Sequence, residues 1–227
     1  MTIYERALAL VRAGDVVGLG SGHASTEFIK ELGARVRAGL KLRGVPTSRA
    51  SEEVARSAGI PLASLAEGLP LALTVDGADE VDPSLDLIKG YGRALVREKI
   101  VEAASKKFVC LVGPGKYVKV LGERGKLPVE VVPLALPLAR ARLAEFGWKP
   151  VLWTTPDGKP ARTDNGNYIL DCDIPSSALI RDPAATDTKI LAIPGVLGTG
   201  LFVGMADVLL VGDDQFNLVE ERTRRSA

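Results

Sequence analysis

The amino-acid sequence predicts an α/β fold, with a Rossmann-like parallel sheet flanked by helices and a small α+β domain inserted into it. Over the first half of the chain, short apolar runs alternate with stretches of helical periodicity, as in sheets built from β-loop-α units. From residue 127 the predicted order is strand, helix, two strands, helix and strand, which is typical of a ferredoxin-like β-α-β-β-α-β unit. We therefore expect the main α/β domain at 1–126 and 206–227, and the small domain at 127–205.

The main domain is expected to begin with an amphipathic helix within residues 1–15, because Tyr4, Leu8 and Val11 share one helical face. The elements expected after it are a strand at Val16–Leu19, a helix near Ser25–Arg37, a strand near Leu42–Val45, a helix near Ser51–Ser57, a strand ending at Asp76, a helix after Gly92 and a strand at Phe108–Val112.

The small domain is expected to contain four strands and two helices. In chain order these are the strand Val129–Val132, the helix Leu134–Phe146, the strands Val151–Thr154 and Tyr168–Ile174, a helix near Ala184–Ala192 and a strand near Leu201. The apolar run 206–212 then predicts a buried parallel strand, with which the chain returns to the main sheet.

Composition excludes several classes of partner. Lys and Arg number 29 against 28 Asp and Glu, and the charges are interspersed, so neither a nucleic acid nor an anionic membrane surface is expected to bind. No apolar run approaches the ~20 residues that span a bilayer, and residues 1–15 lack the order of a signal peptide. Cys110 and Cys172 fall in apolar strand patterns, which favours buried thiols in a reducing cytoplasm.

An acidic cluster, Asp76-Gly77-Ala78-Asp79-Glu80, directly follows the largely apolar run 71–75. It is therefore expected where a buried strand ends, the edge at which parallel sheets bind ligands. The two aspartates are candidates for binding hydroxyls and moving protons. One alternative is a turn in which they cap the next segment. Another is a magnesium or calcium site that includes Glu80 and Asp82, although the sole histidine, His23, is distant in sequence.

A lysine-glycine loop, Lys89-Gly90-Tyr91-Gly92, precedes a predicted helix and suits stabilisation of a developing oxyanion. The alternative is an ordinary glycine loop with a solvated lysine. Glu98 is expected about two turns into this helix, at the margin of its apolar face. Its neighbours three and four residues away carry no positive charge and include Glu102, so a raised pKa and a general-base role are expected. The alternative is an arrangement produced by structural chance.

The segment Gly18-Leu19-Gly20-Ser21-Gly22 resembles a phosphate-binding turn before a helix. A tight strand-to-helix turn is the alternative. A dinucleotide motif is disfavoured because His23 or Ser25 would stand at its closing glycine position. A lone histidine beside such a turn is usually a surface or capping residue.

These segments together resemble ribose-5-phosphate isomerase of the A type, whose segments read nearly D-G-A-D-E and K-G-G-G-x-A-L-x-R-E-K. The resemblance covers nearly the whole chain in the family's order. The other matching segments are Gly44-Val45-Pro46-Thr47-Ser48, Lys116-Tyr117-Val118-Lys119-Val120-Leu121-Gly122, Leu127-Pro128-Val129-Glu130-Val131-Val132-Pro133 and Thr163-Asp164-Asn165-Gly166-Asn167.

The resemblance implies interconversion of D-ribose 5-phosphate and D-ribulose 5-phosphate in the non-oxidative pentose phosphate pathway, through a cis-enediolate and without metal or cofactor. Glu98 would move a proton between C2 and C1, Asp76 and Asp79 would handle sugar hydroxyls and ring opening, and Lys89 would steady the enediolate. The remaining pocket residues implied are Ser21, Gly22, His23, Ala24, Gly77, Ala78, Gly90, Tyr91, Gly92 and Lys116. The family also implies a homodimer or homotetramer whose partner is a small sugar phosphate.

The chain departs from the family pattern at three places. Where the family's turn reads G-T-G-S-T, this chain has Gly20-Ser21-Gly22-His23-Ala24 and lacks two hydroxyls, for which Ser25 and Thr26 are candidate substitutes. Tyr91 and Arg93 replace residues that are usually glycine or small, and Arg93 is expected either to bind an anion or to face solvent. The N-terminus lacks the lysines that many relatives carry.

Two other functions have to be considered. A non-catalytic sugar-phosphate sensor would share the fold, but such a sensor normally carries a helix-turn-helix before the first β-loop-α unit. A metal-dependent isomerase or phosphatase would use the carboxylates as ligands, and its activity would be lost in a chelator.

Overall fold

The computed structural model describes residues 1–224, in which helices and strands alternate. The strands in this range are β1 (Val16–Leu19), β2 (Arg43–Pro46), β3 (Leu73–Gly77), β4 (Glu80–Val81), β5 (Leu87–Ile88), β6 (Phe108–Val112), β7 (Lys126–Val131), β8 (Lys149–Leu152), β9 (Tyr168–Asp173), β10 (Val196–Thr199), β11 (Leu201–Phe202), β12 (Val208–Gly212) and β13 (Leu218–Thr223). The α-helices are α1 (Ile3–Leu8), α2 (His23–Arg37), α3 (Arg49–Ser57), α4 (Leu65–Gly68), α5 (Leu95–Ala103), α6 (Leu136–Ala144) and α7 (Pro183–Leu191), and short 3₁₀ helices lie at Pro133–Ala135 and Ser176–Ala178.

The chain divides into two compact units. The first contains Met1–Ala78, Arg97–Lys116 and the described residues from Met205 onward, and the second contains Asp79–Val96 and Tyr117–Gly204. The contacts thus assign 79–96 and 117–126 to the second unit, whereas the sequence places them in the main domain. The insertion of a small domain at 127–205 stays a prediction.

The first unit is built on a sheet with the strand order β13-β12-β6-β3-β1-β2. All neighbouring pairs are parallel except β12 with β13, which are antiparallel. Apolar residues alternate between two cores: Val17 packs with Phe28 of α2, whereas Val16 packs with Val101 of α5. Helices therefore cover both faces of the sheet, which confirms the predicted α/β fold.

The second unit contains an antiparallel sheet with the order β10-β7-β9-β8, and with α6 and α7 it follows the predicted β-α-β-β-α-β order. Its last strand is β10, not a strand near Leu201 as expected. Leu201 instead lies in β11, which pairs with β5 in a separate sheet that includes β4. The chain turns at Gly200, where a β-carbon would lie 2.4 Å from the Lys89 carbonyl oxygen.

Cys110 on β6 and Cys172 on β9 are buried thiols, as predicted. Burial raises the pKa of the Cys172 thiol above its usual range. Of the helices within residues 1–224, none combines the length and apolarity needed to cross a bilayer.

Candidate active site

Asp76 stands near the end of β3, in the middle of the parallel sheet of the first unit, and its side chain is buried. Its Oδ1 atom accepts hydrogen bonds from the backbone nitrogen of Ser21 at 3.0 Å, the Ser25 hydroxyl at 2.8 Å and the backbone nitrogen of Gly77 at 2.7 Å. Three donors aimed at one oxygen fix the orientation of the carboxylate. The sequence places Asp76 correctly at a strand end, but it does not show the role of Ser25.

The glycines between β1 and α2 have a packing explanation. A β-carbon at Gly18 would lie 1.9 Å from the Thr74 hydroxyl oxygen, and one at Gly20 would lie 2.2 Å from Cγ of Asp76. Gly22 has φ +91°, a conformation that favours glycine, and caps α2 without a side-chain hydrogen bond. Two of the three glycines are therefore required by the close approach of β1 to β3, whatever the turn binds.

The Ser21 hydroxyl belongs to a network that sequence reasoning missed. It hydrogen-bonds to the Thr47 hydroxyl at 2.8 Å and to the Ser48 hydroxyl at 2.7 Å. Thr47 and Ser48 are buried and directly follow β2. The sequence marks these two residues only as part of the family-like segment 44–48. The structure shows that their hydroxyls support the turn after β1.

The two positions without family hydroxyls lie in the first turn of α2. His23 is exposed, and its ring is tilted against the Phe216 ring at a centroid distance of 5.7 Å. Ala24 is half-buried. Ser25 is fully buried and its hydroxyl donates to Asp76. Thr26, the other candidate, is half-buried.

Glu98 lies in the first turn of α5 and is 3% exposed. The expectation of a place two turns into the helix is wrong because α5 begins at Leu95. Arg93 has φ +70°, which is incompatible with a helix, so the helical pattern after Gly92 starts later than its apolar residues indicate. Lys116, the remaining candidate of the first unit, is half-buried after the turn that follows β6.

In the second unit, Asp79 and the lysine-glycine loop are in direct contact. The backbone nitrogen of Tyr91 donates to Oδ2 of Asp79 at 3.0 Å, and the backbone nitrogen of Asp79 donates to the Ile88 carbonyl at 2.8 Å. Lys89 is 2% exposed, and its ammonium lies 5.3 Å from the centroid of the Phe202 ring. The expectation of a solvated lysine in an ordinary loop is therefore wrong.

Glu80 and Asp82 have local structural partners. The buried Glu80 carboxylate accepts hydrogen bonds from the backbone nitrogens of Gly122 at 2.6 Å and Arg124 at 2.9 Å. Its burial raises the pKa above the usual range, although these two bonds act in the opposite direction. Asp82 accepts from backbone nitrogens in its own turn. Within the described part of the chain, no group of three or more His, Cys, Asp or Glu side chains is placed to hold a metal.

Arg93 is largely buried and pairs with a carboxylate of the second unit. Its guanidinium donates to Oδ1 of Asp171 at 2.6 Å and lies 5.0 Å from the centroid of the Trp153 ring. The Tyr91 hydroxyl donates to the Lys126 carbonyl at 3.0 Å. Both departures from the family pattern thus have defined partners within the second unit.

Residues 43–215 match the model of the family described as ribose 5-phosphate isomerase A (phosphoriboisomerase A). The chain belongs to the ribose 5-phosphate isomerase A family. It is 47% identical over 209 residues to ribose-5-phosphate isomerase A of Roseiflexus castenholzii, covering 91% of this chain and 88% of the relative. The corresponding protein of Thermomicrobium roseum is 42% identical over 219 residues, with 96% of this chain and 91% of that relative covered.

Solved structures of the ribose 5-phosphate isomerase A family share the whole fold. An isomerase in complex with phospho-erythronic acid superposes with a TM-score of 0.92 at 37% identity, covering 97% of this chain and 96% of the other. The enzyme of Methanocaldococcus jannaschii superposes with a TM-score of 0.90 at 37% identity, over 98% and 96% of the two chains. The predicted family and the expectation of an isomerase are confirmed, and the alternative of a non-catalytic sensor finds no support.

Proposed function

We propose that this protein interconverts D-ribose 5-phosphate and D-ribulose 5-phosphate by general acid/base catalysis, through a cis-enediolate and without a metal or cofactor. Membership of the ribose 5-phosphate isomerase A family supports the substrate pair. The observation that carries the proposal in this chain is Asp76, a buried carboxylate at a strand end whose Oδ1 is oriented by three donors. A carboxylate held in one orientation suits recognition and proton exchange at a sugar hydroxyl.

In the proposed reaction, Glu98 removes the proton from C2 of the open-chain aldose. The electron pair of the C2–H bond forms the C1=C2 double bond, and the carbonyl electron pair moves to O1. Glu98 then returns its proton to C1, and the O2 proton is transferred by way of the aspartates to O1. C2 thereby becomes the carbonyl carbon and O1 the hydroxyl oxygen of ribulose 5-phosphate. Burial of Glu98 supports this role, because a shielded acid returns its proton with little competition from water.

The other roles are assigned to the acidic cluster and the lysine-glycine loop. Asp76 and Asp79 move protons on sugar hydroxyls and assist ring opening. Lys89 and the backbone between Gly90 and Gly92 stabilise the negative charge of the enediolate. The burial of Lys89 supports this assignment, because a charge–charge interaction is stronger when water is excluded.

The phosphate group is assigned to the turn Ser21–Ala24 together with Lys116, and Gly77 and Ala78 complete the sugar site. The 15-residue helix α2 begins in this turn without a side-chain cap, so its first backbone N–H groups suit an anion. The network of Ser21 with Thr47 and Ser48 gives the turn a fixed shape.

A homodimer or homotetramer in the cytoplasm completes the proposal. Apolar side chains near the 3₁₀ helix Pro133–Ala135 support self-association, because Leu134 is 91% exposed and large exposed apolar groups favour an interface. This segment abuts the loop before β10, where the Val132 nitrogen donates to the Gly195 carbonyl at 2.8 Å. Leu191 and Leu197, on either side of that loop, are also exposed.

The deciding experiment is an isomerisation assay with ribose 5-phosphate in excess EDTA and without added nucleotide. We expect undiminished turnover, and much slower turnover of unphosphorylated ribose. A rate that EDTA abolishes and a divalent ion restores would overturn the metal-independent mechanism. Calorimetric binding of ribose 5-phosphate without any turnover would overturn the assignment as an enzyme and favour a sensor.

A further inference from the structure

Tyr91 is a large residue at a position where the family motif has glycine, and its side chain is fastened to β7. The hydroxyl donates to the Lys126 carbonyl at 3.0 Å, and the Lys126 ammonium lies 4.3 Å from the centroid of the Tyr91 ring. Burial, with smaller contributions from the Asp79 and Glu80 carboxylates, raises the pKa of the Tyr91 hydroxyl above its usual range. The hydroxyl therefore stays a hydrogen-bond donor throughout the working pH range.

Arg93 is fastened to β9 although its backbone is in an unfavourable conformation. Its φ of +70° lies in the left-handed region, which is unfavourable for a non-glycine residue. Such a conformation persists where surrounding contacts enforce it. Here one contact is the ion pair with Asp171, in which both side chains are largely buried. The other is the stacking of the guanidinium on the Trp153 ring. Asp171 also lies 3.6 Å from the Lys126 ammonium, which connects the two anchors.

The two anchors hold a loop whose own backbone is permissive. Gly90 has φ +108°, and the Arg93 nitrogen donates to the Gly90 carbonyl at 2.9 Å. At the first anchor, the Tyr91 nitrogen donates to Oδ2 of Asp79. Glycine-rich backbone samples many conformations unless side chains restrain it, so the direction of this N–H group depends on the residues that hold the loop.

We propose that Tyr91 and Arg93 are positioning residues of this isomerase, which hold the lysine-glycine loop on β7 and β9 and thereby aim the Tyr91 N–H at Asp79. The inference rests on the proposed function, because it takes Asp79 and Lys89 to act on the substrate. In this chain the side chains of Tyr91 and Arg93 thus restrain the loop, which glycine or another small residue at the same positions could not do. Misplacement of a reacting group by about 1 Å costs up to ~100-fold in rate.

The test compares Arg93→Ala, Arg93→Gly and Tyr91→Phe with Arg162→Ala. Arg162 is a matched control, because its guanidinium also lies over an aromatic ring, that of Tyr168 at 5.1 Å. Unlike Arg93, it is exposed, and it donates to the Gly166 carbonyl. We expect kcat to fall about 3- to 100-fold in the Arg93 variants and less in Tyr91→Phe, with KM for ribose 5-phosphate changed less than about twofold. Arg162→Ala should keep the wild-type kcat.

Arg93→Gly separates positioning from folding. Glycine adopts φ +70° without strain, so this variant should melt no lower than Arg93→Ala and still lose activity. A kcat that recovers in Arg93→Gly, or that falls only in parallel with the melting temperature, would overturn the proposal.

A double-mutant cycle identifies the group that is positioned. Arg93→Ala should have little further effect on kcat in an Asp79→Asn background, because residues that act through one another are not additive. A full additional loss in that background would overturn positioning of Asp79 and leave the proposed function intact. Wild-type kcat in Asp79→Asn alone would overturn the role of Asp79 in the proposed function and this inference with it.

Discussion

Gly20 approaches Asp76 so closely that a β-carbon at position 20 would lie 2.2 Å from Cγ of the Asp76 carboxylate. The Gly20 nitrogen also donates to the Val75 carbonyl at 3.0 Å, so the backbone there cannot retreat without losing a bond between neighbouring strands. The next residue, Ser21, donates its backbone nitrogen to Asp76. Absence of a side chain at position 20 is therefore what lets the turn after β1 orient the carboxylate.

The first prediction concerns Gly20→Ala. The added methyl group has to displace Asp76, because real β-carbons do not approach a neighbour at 2.2 Å. We expect a loss of ~1–3 kcal/mol in the free energy of unfolding, as in other overpacked sites, together with a fall in kcat. Chemical denaturation and steady-state kinetics measure the two effects.

Gly113→Ala is the matched control for this change. A β-carbon at Gly113 would make an ordinary contact of 3.6 Å with the Phe216 ring, and its φ is not in the left-handed region. Its stability and kcat should remain near those of the wild type. Equal effects of the two substitutions would show that Gly20 has no special relationship with Asp76.

The pattern of apolar residues predicted the bounds of a strand correctly where the whole strand is largely buried. The strands Val16–Leu19 and Phe108–Val112 have the predicted bounds because their residues form short, largely buried apolar runs. The strand β13 was missed, since it lies at the sheet edge, is mostly exposed and is rich in charged residues. The two-residue strands β4 and β5 are too short to give a period, whereas β11 lies where a strand near Leu201 was expected.

The site was predictable as a set of residue types and not as a set of contacts. Carboxylates after an apolar run predicted Asp76 at a strand end, which is where β3 places it. The partners Ser25, Thr47 and Ser48 were missed because they are distant in sequence and no local pattern marks a hydroxyl that bonds across the sheet. No pattern in the sequence indicated the positive φ of Arg93 either. Because of it, α5 begins only at Leu95, and Glu98 lies in its first turn.

The second prediction concerns the pH dependence of stability at Glu80. Burial raises the pKa of this carboxyl above the unfolded value of about 4.3. The folded state therefore favours the protonated form, and the stability gained is present below about pH 4.3 and lost as pH rises through the folded pKa. Between about pH 4 and pH 7, the wild type should lose stability relative to Glu80→Gln, which does not titrate.

Urea denaturation of both proteins across this pH range measures the difference directly. In Glu80→Gln, an NH₂ group replaces one of the two oxygens that accept hydrogen bonds from Gly122 and Arg124. This replacement changes the free energy of unfolding of the variant by the same amount at every pH. The prediction is therefore tested by how the difference in free energy of unfolding between the two proteins changes with pH. A difference that is flat, or that increasingly favours the wild type as pH rises, would contradict the prediction.

The third prediction restores the missing hydroxyls of the turn before α2. His23→Ser combined with Ala24→Thr should lower KM for ribose 5-phosphate about 3- to 10-fold, the effect of one or two added hydrogen bonds. It should raise kcat less, because phosphate binding acts alike on the ground state and the transition state. Steady-state kinetics separate the two constants.

Thr26→Val is the companion variant. Ser25 and Arg93 are committed to Asp76 and Asp171, so Thr26 is the nearby hydroxyl that sequence comparison still offers as a substitute. Should KM stay unchanged in the double variant and rise in Thr26→Val, the phosphate donor would be Thr26, and the turn would not be weakened by His23 and Ala24.

The fourth prediction is that Glu98 is the proton-transferring base. Glu98→Gln preserves size and most hydrogen-bonding capacity but cannot accept the C2 proton. We expect kcat to fall ~10²- to 10⁴-fold, the usual cost of removing a general base, with little change in ribose 5-phosphate affinity measured by calorimetry. Wild-type turnover in D₂O should place deuterium on C1 to the extent that the protonated Glu98 exchanges with solvent before it returns its proton.

Glu102→Gln is the control for Glu98→Gln, because Glu102 lies one turn later on α5 and is equally buried, at 3% exposure. Both substitutions remove a buried carboxylate from the same helix, so a merely structural effect would lower the melting temperature and the activity alike in the two variants. A catalytic role requires a kcat loss confined to Glu98→Gln while its melting temperature stays within a few degrees of that of Glu102→Gln. Near-normal kcat in Glu98→Gln would transfer the role to another carboxylate, and Asp79, which the Tyr91 nitrogen orients, is then the residue to replace next.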